Sequence, residues 1–363
     1  MSVADVSLRV RWSRTGVEGD RRNRALLVLL LLCGFLLVCI WLSMTSGAVD
    51  IRLWEYLQAV AGQHELSARD QLVIEVIRLP RMVLGVIVGG GLAIAGAVMQ
   101  GLFRNPLADP GVVGVSAGAS LGAAAMIVLG SSVLAPVTLH LGIYALPVAA
   151  FVGSLATTFC LYSLGRTEGQ TSVATLLLAG IALSALALAM VGVLIFLADD
   201  QQLRDLNFWQ LGSLAGATWG KVAAALPFVG VASLGALLMA PGLNSLFLGE
   251  AAAGHMGIHV ERLKTLSIIC VALATGACVA VSGGIGFVGI VVPHLLRLVI
   301  GPDHRYLLPG CVLLGASLLL LADAIARVIV APAELPIGIV TALVGAPFFL
   351  WILLRRKGLM AGV

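Results

Sequence analysis

The chain has 363 residues, 60% of them hydrophobic and only 11% charged, with a mean hydropathy of +1.06 and a formal charge of +4. A soluble globular chain carries roughly 25% charged residues, so a soluble enzyme domain is excluded. The composition is that of a polytopic helical membrane protein, with nothing to make nucleic acid a partner.

Residues 1–24 form a polar tail with Arg9, Arg11, Arg14, Arg21, Arg22 and Arg24, expected to lie in the cytoplasm near anionic lipid. An apolar run from Ala25 to about Met44 follows. It exceeds the usual 7–15 residues of a signal-peptide core, so a retained first span is preferred over a leader cleaved near Ser46-Gly47-Ala48. Leu53, Trp54, Leu57 and Val60 then recur at helical spacing and predict a short helix lying at the membrane interface. Further stretches near the ~20 residues a bilayer needs fall at about 81–101, 111–131, 143–165, 171–197, 222–242, 265–282, 285–300, 306–328 and 336–354. With the first, that makes about ten spans in one permease domain over 25–356, then a cytoplasmic C-terminus from 357 to 363. The eighth is short and is stopped by Pro293.

An even number of spans puts both ends on one side. The N-terminal side would hold fifteen of the 22 basic residues: the six tail arginines, Arg104, Arg166, Arg262, Lys264, Arg297, Arg305, Arg355, Arg356 and Lys357. The other side would hold seven: Arg52, Arg69, Arg78, Arg81, Arg204, Lys221 and Arg327. Positive charge stays in the cytoplasm, so both termini are expected there.

Small residues recur every fourth place at Gly85, Gly89, Ala93, Ala97 and Gly101, and again at Gly114, Gly118 and Gly122. Such stripes share one helix face and let membrane helices approach backbone to backbone. A polar turn, Arg104 to Pro110, separates them, which predicts a helical hairpin packed through its stripes.

Candidate chemistry is sparse. The one Gly-Lys pair, Gly220-Lys221, has Ala215 and Val222 where a phosphate loop needs Gly and Ser or Thr, so the chain is expected neither to bind ATP there nor to act as an enzyme. An ion-coupled carrier would bury carboxylates at mid-span, and the spans offer almost none. Asp323 and Arg327 stand four apart near a span end and can pair along the helix, as a structural pair or as part of a docking site. His140 and His294 lie near span ends, where an interfacial role is the simpler reading. Cys33, Cys39, Cys160, Cys270, Cys278 and Cys311 sit in apolar runs and read as buried free thiols, with no metal-ligand spacing. Between two spans, about 243–264, Leu246, Leu248, Ala252 and Met256 offer apolar anchors. That segment is either a helix docking in a groove on another protein or an amphipathic linker.

Six motifs in order now carry a resemblance: RLPR (78–81), RNPLADPGVVGVSAGA (104–119), FWQLGSLAGATW (208–219), LNSLFLGEAAAGHMG (243–257), GGIGFVGIVVPHLLRLVIGPDH (283–304) and AELPIGIVTALVGAPFF (333–349). The chain resembles the FecCD-type permeases, membrane subunits of type II ATP-binding-cassette importers for iron siderophores, haem and vitamin B12, from about residue 50 to 356. The resemblance implies an all-α permease fold in the bacterial inner membrane. It also implies a second copy of the chain, two ATPase subunits that hold ATP and Mg, and a periplasmic binding protein. No cofactor is then expected on the chain itself. Arg78, Arg81 and Arg327 match exposed arginines that dock the binding protein, and Leu246, Gly249, Glu250, Ala253 and Gly257 match the segment that couples to the ATPases. By likeness of motifs the haem branch stands first, siderophores next and cobalamin third. His294 and His304 match histidines found throughout the family and do not decide between them.

Overall fold

The computed structural model describes residues 21–47, 58, 67–167, 170–331 and 333–360. Its main helices are α1 (Arg22–Thr45), α2 (Leu79–Leu102), α3 (Val115–Leu129), α4 (Ala145–Gly165), α5 (Val173–Leu197), α6 (Asp200–Leu211), α7 (Trp219–Leu246), α8 (Glu250–His255), α9 (Val260–Ser282), α10 (Val288–Ile300), α11 (His304–Val328) and α12 (Ile337–Met360). Seven helices among the described residues are long and apolar enough to cross a membrane, and shorter apolar ones lie at Val115–Leu129, Val288–Ile300 and Ile337–Leu350. Together they occupy the ten stretches expected from hydropathy.

Several expectations need correction. The first helix starts at Arg22, so Arg22 and Arg24 belong to it and not to a tail. Helix α12 runs to Met360 and takes in the start of the expected C-terminal tail. The amphipathic helix expected around Leu53 to Val60 falls almost wholly outside the described residues. The short helices Ala68–Leu72 and Ala135–Leu141 went unforeseen, as did two further elements. One is α6, closed by a capping box in which Asp199 accepts from the Gln202 N–H. The other is an antiparallel ribbon pairing Arg166 with Thr171 and Thr167 with Gln170. All six cysteines are free, but Cys33 and Cys160 are exposed, so only some are core thiols.

Helix α2 is the centre of the bundle, with 83% of its apolar stretch buried against 11% for α1. Helices α7, α9, α10 and α11 surround it. Helices α3, α4 and α5 form a second group, joined to the first through α9. A helix with no lipid face is apolar all round, and its small residues decide how near its neighbours come.

The stripes are packing devices, as expected, but they do not mate with each other. A Cβ at Gly89 would overlap the Gly315 carbonyl of α11; Gly96, which stands beside the stripe and not in it, meets the Gly289 carbonyl of α10 as closely. Ala93 fills the space where Gly315 would carry a Cβ, 2.5 Å away, and Ala97 is fully buried. Gly85 lies under Leu320 of the same helix, α11, and Gly101 under His304. The second stripe meets α4 instead. Gly118 faces Gly153 and Thr157, Gly122 faces Ala149, and Gly114 faces Thr157 with its backbone at φ +83. The polar turn carries α3 away from α2. Arg104 sits in the left-handed region at φ 48, Asn105 accepts from the Leu107 N–H at 3.0 Å, and Asp109 from the Gly111 N–H at 2.7 Å. Burial there pushes the Asp109 carboxyl above the usual carboxylate range, against the Gly111 hydrogen bond, which lowers it.

Opposite effects are therefore expected from one substitution at two glycines. Gly96→Ala should cost about 1–3 kcal/mol by overpacking against backbone. Gly230→Ala in α7, where a Cβ meets nothing within 4 Å, should be neutral or stabilising through helix propensity. Thermal unfolding of the detergent-purified chain reads both; equal shifts would contradict the packing described.

Candidate functional site

Polar side chains gather at the two ends of the α2–α11 pair. The helices run antiparallel: Arg81 at the start of α2 meets Asp323 near the end of α11, and Gly101 near the end of α2 meets His304 at the start of α11.

At the first end, the run Val73–Arg78 winds as a π-helix directly before α2. Pro80 brings no N–H to that turn, and wide turns of this kind recur at functional sites. Arg81 places Nε and Nη2 against Asp323, with Nη2 at 2.9 Å from Oδ1, and its Nη1 lies 2.9 Å from Glu334. Arg327 reaches back one turn to the same Asp323, Nε to Oδ2 at 3.1 Å, so the pair expected from their spacing is present. Asp323 is 1% exposed and serves two guanidiniums at once.

The last turn of α1 completes this end. Its terminal carbonyls have no partner within the helix and carry the negative end of its dipole. Arg327 donates to the carbonyls of Ser43 at 3.0 Å and Ser46 at 2.8 Å, and Arg78 donates to that of Met44. Gly47 packs against the Arg78 guanidinium. The three arginines that the motifs marked for docking thus converge, but they are not the exposed residues expected. Arg78, Arg81 and Arg327 are 5%, 8% and 8% exposed. They are folded into the end of the bundle because α1 and α11 offer acceptors there, which sequence separation hides. Among the described residues, Asp323 and Glu334 are the carboxylates that pair with Arg81, and Asp323 also pairs with Arg327.

At the opposite end, Asn244 in α7 ties two elements. Its Oδ1 takes the His304 backbone N–H at 2.9 Å and lies 2.8 Å from His304 Nδ1, while its amide donates to Asp303 at 2.6 Å. That arrangement assigns the proton to Nδ1 of His304 and gives the residue a structural role. Gln100 bridges α2 to α10, donating to the Gly289 carbonyl at 3.2 Å and accepting from Arg297.

Beyond α7 the chain turns at Gly249, φ +107, into α8, and turns again at Gly257, φ +83. Both conformations favour glycine. Leu246 and Ala253 are buried, so of the expected coupling residues these two face the protein's own core. The exposed apolar residues are Phe247, Leu248 and Met256, of which Leu248 is 71% exposed. Helix α7 continues through Pro241 as far as Leu246, which turns Leu246 inward and leaves Phe247 out. Glu250 opens α8 and points to Lys264, 2.8 Å away. Lys264 also holds Glu261 at 3.0 Å and the Thr171 carbonyl at 2.9 Å, using all three ammonium donors. Glu261 in turn accepts from the Thr171 N–H at 2.9 Å. One 3%-exposed ammonium therefore joins α8, α9 and the ribbon. Sequence reasoning counted Lys264 only as a positive charge. Its i,i+3 spacing from Glu261 was the sole available signal.

Among the described residues no three His, Cys, Asp or Glu side chains gather as a metal site. The profile of the FecCD transport family matches residues 35–355. The chain belongs to that family. The hemin transport system permease protein HmuU of Yersinia pestis is 49% identical over 286 residues, 79% of this FecCD chain and 84% of its own. The cobalamin import system permease protein BtuC of Halobacterium salinarum is 45% identical over 287 residues, 79% and 74% of the two chains. The vitamin B12 import system permease protein BtuC of Klebsiella pneumoniae is 40% identical over 339 residues, 93% and 96% of the two chains. Among solved structures, one described as an inward-facing metal-chelate type ABC transporter superposes with a TM-score of 0.79 at 32% identity, covering 90% of this chain and 99% of its own. This FecCD chain is a multi-pass permease of the ABC-importer type, and its fold is the permease fold.

Proposed function

We propose that this permease carries haem inward across a bacterial inner membrane, as a pair of copies working with two ATPase subunits and a periplasmic binding protein. The observation that carries this reading is the separation of two partner surfaces. The arginine cluster lies at one end of the α2–α11 pair, and the exposed Phe247, Leu248 and Met256 lie beyond α7 at the other. The excess of basic residues on the Arg104 side supports a cytoplasmic position for that end and for both termini. Exposed apolar side chains flanking a short helix suit a groove on an ATPase subunit, where ATP and Mg are bound. Planar guanidiniums gathered at this end suit carboxylates on a binding protein. Haem is preferred over cobalamin because the hemin permease is the more similar of the relatives compared, at 49% against 45% and 40% identity.

The test is to assemble the importer in nanodiscs with its ATPase subunits and binding protein. ATP hydrolysis should rise with haem and not with a hydroxamate siderophore or cobalamin, and the isolated chain should hydrolyse none. Stimulation by cobalamin alone would replace the substrate; hydrolysis by the chain alone would remove the whole reading. For docking, Arg78→Glu or Arg327→Glu should weaken binding-protein association about tenfold or more, and added salt should act in the same direction. Affinity indifferent to both changes would exclude this end as the docking surface.

A further inference from the structure

The two carboxylates at the arginine end hold Arg81 differently. Asp323 takes the Nε and Nη2 edge at 2.9–3.2 Å, and its side chain is 1% exposed. Glu334 takes Nη1 at 2.9 Å, and its side chain is 40% exposed. The Arg81 side chain itself is only 10% exposed. With one edge committed to a buried acid, Nη1 is the edge left for anything arriving from outside, and Glu334 occupies it.

We propose that Glu334 is a placeholder: it keeps the outward edge of Arg81 paired in the free permease, and a carboxylate of the docking protein displaces it. The proposal rests on the reading of this end as the docking surface. A nearly buried guanidinium left without an anion is costly, so the free permease needs a counter-charge that can leave without leaving the arginine bare. A half-exposed pair is weak enough to exchange. Asp323, buried and shared by Arg81 and Arg327, is not. The backbone beside Glu334 is fixed, since the Leu335 N–H donates to the Ala326 carbonyl at 3.1 Å and the Ile337 N–H to that of Gly212 at 3.0 Å. Displacement is therefore a side-chain rotation and needs no loop opening.

Swapping one carboxylate for another also predicts how salt acts. In the wild type an ion pair breaks as another forms, so this contact adds little to the salt dependence of docking. With Glu334→Gln, docking makes a new pair with nothing lost, and affinity rises while becoming more sensitive to salt.

The experiment uses the assembled importer in nanodiscs and measures the dissociation constant of its binding protein across ionic strength. Four variants are compared: Glu334→Gln, Arg81→Gln, the two combined, and Asp205→Asn. Asp205 is an exposed acid of α6, whose C-terminal end adjoins the start of α12 at the same end of the bundle. Glu334→Gln should tighten binding roughly threefold to tenfold at low salt and steepen the salt dependence. A merely structural role would not produce such a gain. Arg81→Gln should weaken binding and cancel the effect of Glu334→Gln, and Asp205→Asn should leave affinity unchanged. If Glu334→Gln is neutral or weakens binding while Arg81→Gln also weakens it, the placeholder is wrong and the docking surface stands. An equal gain from Asp205→Asn would show bulk charge at work and overturn the proposal. If Arg81→Gln leaves affinity unchanged, the docking reading itself fails.

Discussion

Asp323→Ala should lower the stability of the chain by about 3–5 kcal/mol, the range seen when one partner of a buried ion pair is removed. The size follows from how many groups lose their counter-charge. Asp323 holds the Nε and Nη2 edge of Arg81 and the Nε of Arg327, and both guanidiniums are buried to nine-tenths. Arg327 keeps its bonds to the Ser43 and Ser46 carbonyls, which limits the loss on that side. Asp323→Asn retains an acceptor without the charge and should fall between alanine and wild type. Replacing Arg81 and Asp323 together by methionine should recover the part of the loss due to Arg81, because a well-packed apolar pair often matches a buried ionic one, while Arg327 still lacks its carboxylate. Thermal unfolding in detergent measures all three. A silent Asp323→Ala would mean that water reaches these arginines.

Lys264→Met is expected to leave the chain inserted and its ATPase subunits bound, while transport per ATP hydrolysed falls about tenfold, within the usual range of coupling energies. Its ammonium touches α8, α9 and the ribbon together. Removing it leaves Glu250 and Glu261 facing each other without a cation and frees α8 from the helix it should move. The exposed Phe247, Leu248 and Met256 are untouched by the change, so docking should survive where coupling does not. Lys264→Arg keeps the charge in a planar fork unsuited to three convergent acceptors and should recover only part of the coupling. Uptake and hydrolysis measured side by side in proteoliposomes give the ratio; an unchanged ratio would make Lys264 a purely structural clamp.

Much of the site was legible as a set of positions and little of it as a set of partners. Arg78, Arg81 and Arg327 fall on one side of the membrane by the order of the spans, and the structure brings them together. That Asp323 and Arg327 could pair follows from four-residue spacing on one helix. The Arg81–Asp323 bond joins residues 242 apart and has no local signature. The segment about 243–264 was recognisable as a short amphipathic stretch between two spans, but not which of its residues face out. One further turn of α7 past Pro241 buries Leu246 and exposes Phe247, and helix ends are poorly marked when no cap residue stops them.

What the sequence by itself determined is the number and order of apolar helices, their charge asymmetry and the small faces of α2 and α3. Each of these depends on transfer of residues between water and lipid, or on spacing along one helix, and both are local. Tertiary structure alone decided that the stripe of α2 closes on α11, with Gly96 beside it closing on α10, while that of α3 closes on α4. Apolar helices attract one another without strong direction in lipid, so the mate is chosen by whole-bundle fit. The same packing brought the α1 carbonyls to Arg78 and Arg327, buried the arginines, and left Glu334 holding the open edge of Arg81.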